Sequence, residues 1–161
     1  MLTRHRVRTT ANWVNLSTPA GLVLARTAAD GARRTRSGVW LAHGYRLPVP
    51  AARAFTLGSV VLLRAGHPGA GVDPVGSVPR ALLDHEERHV TQYALFGGVL
   101  MPVLYLGAAG WSWLRTGDFA SRNPFERRAG LHSGGYREAP VRSAAEAGTA
   151  LRALLGRASL R

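Results

Sequence analysis

With 161 residues, 46% of them hydrophobic, the chain can bury a core as one domain, 1–161, without covalent staples. It has no cysteine, which excludes disulfides, thiol catalysis and cysteine-ligated zinc fingers, so any metal must be held by His, Asp or Glu. Its net charge of +12 comes from 21 arginines, without a lysine, against 9 acidic residues. That charge fits a solvated basic surface or an anionic membrane surface. Nucleic acid is disfavoured as a partner, because the arginines form no long run and do not alternate with aromatics.

Residues 1–12 read as a basic, mobile arm. The stretch after Arg4, Arg6 and Arg8 is too polar for a secretory signal, and a cytoplasmic location is expected. Ser17-Thr18-Pro19 followed by an apolar run to Ala25 predicts a cap, an N1 proline and a short helix. Asp30-Gly31 and residues 33–37 read as turn and loop. The β-forming runs 39–47 and 54–63 predict an antiparallel pair over 38–64. A Gly/Pro-rich loop is expected at 65–78.

Pro79 opens the next predicted helix, which runs to about Phe96. Asn123-Pro124-Phe125 starts another, so that 79–131 forms a pair of helices carrying the candidate site. Ser143-Ala144-Ala145-Glu146 is a capping box launching an amphipathic helix over 143–161. The fold class expected is α+β, a small antiparallel sheet packed on helices.

The chemistry centres on His85-Glu86-Glu87-Arg88-His89. On a helix four residues advance by about 400° and roughly 6 Å, so both imidazoles leave the same face. That is the spacing one zinc ion needs from two nitrogen ligands. Glu86, beside the first ligand, is placed to act as general base toward a metal-bound water. A third His at metzincin spacing is ruled out, since that position holds Leu95. Of the glutamates that follow, Glu126 is the best placed third ligand, in the first turn of a capped helix with small Ala129 three residues on. His132 is the reserve. Tyr136, His132 and Arg127 are candidates for stabilising an oxyanion on position alone, and Asp84, Asp118 or a backbone carbonyl for orienting a histidine.

The segment 84–136 resembles small bacterial gluzincin-like zinc metallopeptidases, the minigluzincin kind. The resemblance rests on His85-Glu86-Glu87-Arg88-His89-Val90-Thr91-Gln92, on an apolar stretch with Gly and Pro, and on Asn123-Pro124-Phe125-Glu126-Arg127-Arg128-Ala129. It implies His85, His89 and Glu126 as zinc ligands, Glu86 as general base, a peptide or protein substrate, and an edge strand at 55–63. Gly130 stands where larger gluzincins often carry an aspartate.

Between the two ligand segments, residues 94–114 carry no charge. That length could span a bilayer, and Trp111, Trp113 and Arg115 suit an interface. Gly97, Gly98, Pro102, Gly107 and Gly110 interrupt it, which favours a broken core helix, alone or with shallow membrane contact, over a true span. Two further readings stand beside the peptidase: a catalytically inactive protein stabilised by structural zinc, and a basic membrane-associated protein.

Overall fold

The computed structural model describes residues 2–50, 52–66 and 78–158. The fold is α+β, in two compact units, Met1–Pro102 and Val103–Arg161.

The first unit begins with α1 (Leu2–Val14) and α2 (Ser17–Ala28). The expected mobile arm is therefore helix. It is tied down by Asn12, whose buried amide donates to Val90 O at 2.9 Å and Ser59 Oγ at 3.2 Å. Arg8 adds a bond to the Glu87 carbonyl at 3.2 Å. These long-range partners have no local sequence signature. A four-stranded sheet follows: β1 (Ala32–Arg34), β2 (Trp40–Tyr45), β3 (Ala54–Leu57) and β4 (Val60–Arg64), in spatial order β1-β2-β4-β3.

The expected antiparallel pairing of 39–47 with 54–63 is not what forms. The second run folds on itself as the hairpin β3–β4, and β2 pairs with β4 in parallel. The turn at Gly58-Ser59 cuts the run in two. Gly58 has φ 64°, and a Cβ there would fall 2.4 Å from backbone atoms of Ser17 and Thr18. A run read as one strand thus becomes two, and the sheet is mixed. The loop read at 33–37 contributes the short antiparallel edge β1.

Both faces of this sheet are covered. Val60 and Leu62 point to a cluster with Ala25, Ala28, Ala42 and Tyr45 on the α2 side. Val61 and Leu63 alternate to the other face, with Val39, Leu41, Val78 and Val90. A strand buried on both faces reads as the unbroken apolar run seen in β4. Gly21 lets α2 press onto the sheet, since a Cβ there would stand 2.5 Å from Leu57 O. On the opposite face lies α3 (Arg80–Leu95), which starts after Pro79 as the sequence predicts. The loop expected at 65–78 lies largely outside the described residues.

In the second unit α4 (Leu100–Thr116), which starts at the boundary, is followed by α5 (Pro124–Ala129) and α6 (Ala144–Ala158). The run 94–114 is broken at 96–99, as its glycines predict. No single helix among the described residues is long and apolar enough to cross a membrane. Leu100, Val103, Leu104, Leu106 and Trp111 of α4 are exposed, so α4 is not wholly a core helix. Ser143 and Glu146 form the capping box of α6, with Ser143 N donating to Glu146 Oε2 at 2.7 Å and Glu146 N donating back to Ser143 Oγ at 3.3 Å.

A candidate metal centre

The helix α3 has a polar buried face. His85, Glu86, His89 and Gln92 are all under a tenth exposed, with Val90 and Tyr93 beside them. Burying four polar side chains on one helix is costly unless each is satisfied.

Thr56, inward on β3, donates its hydroxyl to Glu86 Oε2 at 2.7 Å. This fixes the carboxylate of the candidate base against the sheet. The rings of His85 and His89 meet edge to face, with centroids 4.7 Å apart and Nε2 atoms 3.1 Å apart. Donors held tetrahedrally at zinc–nitrogen distance stand roughly 3.4 Å apart, so the pair is close to ligand spacing. His89 Nδ1 lies 2.8 Å from Gln92 Oε1. With that oxygen accepting, the ring carries its proton on Nδ1 and turns the Nε2 lone pair toward His85. A partner on the far nitrogen that sets the tautomer is the usual support of a histidine ligand. Tyr93, one turn past His89, has its phenol pushed up from 10.0 to about 12, first by burial and then by the charge of Glu86.

Glu126 is placed by a separate set of bonds. Ser112 and Thr116, buried on α4, hold the turn that follows. Ser112 Oγ donates to Asp118 O at 2.7 Å and accepts from Arg122 N at 2.7 Å. Asp118 Oδ1 accepts from Ser121 N at 2.7 Å. Asn123 then caps α5, its Oδ1 accepting from Phe125 N at 3.0 Å, with Pro124 in the first turn. Glu126 follows, 2% exposed, accepting from the Tyr105 hydroxyl at 2.5 Å. Ala129, on the same face, is fully buried.

His85, His89 and Glu126 each offer one ligand atom, and these atoms lie within 4.8 Å of one another. The group is buried and could hold a metal ion. The donor set is two imidazole nitrogens and one carboxylate oxygen.

The other sequence candidates lie in these settings. Arg127 is exposed and pairs with Glu138 at 2.8 Å, which holds the Glu138 carboxyl below its ordinary range. His132 is exposed, its Nδ1 3.2 Å from the Tyr136 carbonyl, and Tyr136 is half-buried in the loop after α5. Asp118 is a turn former and Asp84 is exposed. Gln92 bonds to His89, and Thr56 and Tyr105 bond to the carboxylates of Glu86 and Glu126. Gln92 was legible, three residues from His89 on the same helical face. Thr56 and Tyr105 reach their carboxylates across 30 and 21 residues of chain, which no local pattern encodes. A cleft of about 1030 Å³ lined by Arg34, Ser37, Arg80, Asp84 and Glu87 opens on a different flank of α3, and none of the three candidate ligands lines it.

Compared with known proteins, the chain matches no family model, no curated protein and no solved structure.

Proposed function

We propose that this protein is a zinc-dependent hydrolase, a peptidase of the gluzincin type, with His85, His89 and Glu126 holding the metal and Glu86 as general base. The observation that carries the proposal is the buried convergence of the two histidines and the glutamate, with Glu86 buried on the same helix. When bound there, zinc supplies Lewis-acid activation of water and of a carbonyl.

The chain's own residues supply the rest. Gln92 keeps the His89 proton on Nδ1, leaving Nε2 as a donor. The Tyr105 hydroxyl donates to Glu126 and holds its carboxylate in place. Thr56 anchors one oxygen of Glu86, so the carboxylate enters the reaction in a fixed orientation. Glu86 accepts a proton from the attacking water and delivers it to the leaving amine. The fold's cover over these groups keeps bulk water from competing for the same hydrogen bonds.

The test is Glu86→Gln. The substitution keeps an acceptor for Thr56 and leaves the three ligands intact. Peptide-library cleavage is expected to fall by about 10²–10⁴-fold, the usual contribution of a general base, while zinc content stays at the wild-type level. Wild-type turnover by the variant would refute the role of Glu86. Stoichiometric zinc with no cleavage by either protein would leave the metal a structural role.

A further inference from the structure

The end of the first unit where α1 meets α2 and α3 meets α4 exposes apolar side chains that a solvated surface does not call for. Trp13, Val14 and Leu16 stand out from the α1–α2 turn. Leu95, Val99 and Leu100 stand out from the α3–α4 turn, with Leu95 at 75% and Val99 at 77% exposure. The two turns form one surface. Asn15 Nδ2 donates to Tyr93 O at 3.2 Å, and Gly98 lies so close that a Cβ there would fall 2.6 Å from Asn15 O. Leu16 holds a left-handed backbone, φ 63°, the only non-glycine residue with positive φ among those described. A leucine in that conformation, two-thirds exposed, carries a backbone cost for which neither packing nor solvation compensates.

The charge distribution identifies what covers this surface. Residues 9–25 and 89–114 carry no formally charged side chain, in a chain that is 19% charged. Each run ends in arginine on both sides: Arg8 and Arg26, Arg88 and Arg115. Arg8 is ion-paired with Glu87 at 3.3 Å, and the exposed flanking cations are Arg26, Arg88 and Arg115. At the end of the longer run the Arg115 guanidinium lies 5.6 Å from the centroid of the exposed Trp111 ring. Apolar tips, tryptophans near their margins and arginines beyond them are the ordering of a protein seated in one leaflet with cations at the headgroups. A protein partner or a second copy would need no flanks of a single sign on both runs.

We infer that the paired turns at Trp13–Leu16 and Leu95–Leu100 insert into the surface of an anionic lipid bilayer. The helix α4 extends the same character along its axis. Its small or polar residues Ala109, Ser112 and Thr116 are buried, while Val103, Leu104 and Leu106 are exposed. The motif helix ends in the inserting turn, Leu95 lying six residues past His89, or about 9 Å along the axis. The inference does not depend on the metal being bound.

The experiment is co-sedimentation of the full chain with vesicles of phosphatidylcholine alone and of phosphatidylcholine mixed with phosphatidylglycerol. Binding to the mixed vesicles is expected, with weaker binding to phosphatidylcholine alone. Leu95→Asp combined with Val99→Asp should lower partitioning by about tenfold or more, since two apolar side chains lose their burial in lipid. A second variant, Leu16→Asn, suits the left-handed backbone and so does not threaten the fold. It too should lower binding, with zinc content and circular dichroism unchanged. Wild-type binding by both variants would overturn the inference, and so would a wild type that stays in the supernatant with either vesicle. A wild-type dimer that Leu95→Asp converts to monomer, without vesicle binding, would assign the surface to a second copy instead.

Discussion

The helices α3 and α4 are nearly equal in length, 16 and 17 residues, and opposite in design. In α3 the buried face is polar: His85, Glu86, His89 and Gln92. In α4 large apolar side chains face outward and the buried stripe includes Ala109, Ser112 and Thr116. Both patterns run against the rule that folding hides apolar surface. The departures differ in kind, however. The polar face of α3 is satisfied internally, ring to ring, ring to amide and carboxylate to hydroxyl. The buried polar groups of α4 hold a turn, and its apolar face has no counterpart on the helix itself. An inward polar face points to chemistry, an outward apolar face to contact.

The strongest way to break this comparison is to remove a ligand. His85→Ala should abolish stoichiometric zinc, lowering affinity by more than the roughly 100-fold that losing an orienting partner costs. Metal analysis after dialysis and thermal denaturation with and without zinc would both report it. Stabilisation of the wild type by zinc should follow ligand concentration, and the variant should show none. Zinc retained at wild-type level by His85→Ala would mean that the buried polar face of α3 serves packing only.

A finer probe is Gln92→Ala. The side chain is buried and accepts at 2.8 Å from His89 Nδ1. Without it the ring loses the bond that fixes its tautomer. Zinc affinity should fall by about 10–100-fold in a competition titration, with the fold intact. An unchanged affinity would mean that α3 orients its ligands without Gln92.

How much of this was legible in the sequence follows from the range of the interactions. Everything set within a helical turn was: the start of α3 after Pro79, the convergence of His85 with His89, the cap of α5 at Asn123, the capping box at Ser143. The hairpin–sheet topology was not, because the run 54–63 reads as one strand unless Gly58 is known to approach α2. The arm at 1–12 was misread because its helix depends on Asn12 reaching Val90. The hydroxyl on Glu126 comes from Tyr105, inside a run that reads as featureless apolar sequence. The charge-free runs were visible from the start, but only the bond between Asn15 and Tyr93 shows that they meet.

The smallest effect expected concerns Tyr93, where α3 buries a phenol beside a carboxylate. Its folded pKa of about 12 lies above the ordinary 10.0. A phenol is neutral below its pKa, so a raised folded value favours the native state while the group stays protonated. That contribution is fully present below pH 10.0 and is lost as the pH climbs through about 12. In the metal-free protein, ultraviolet titration of phenolate should show a late phase that Tyr93→Phe deletes. Burial is the larger cause and the charge of Glu86 the smaller. Glu86→Gln should therefore move the late phase toward lower pH without returning it to 10.0. A wild type without a late phase, in which Tyr93→Phe loses amplitude near pH 10 instead, would mean that this part of α3 opens to water, and the contrast with α4 would have to be confined to His85, Glu86, His89 and Gln92.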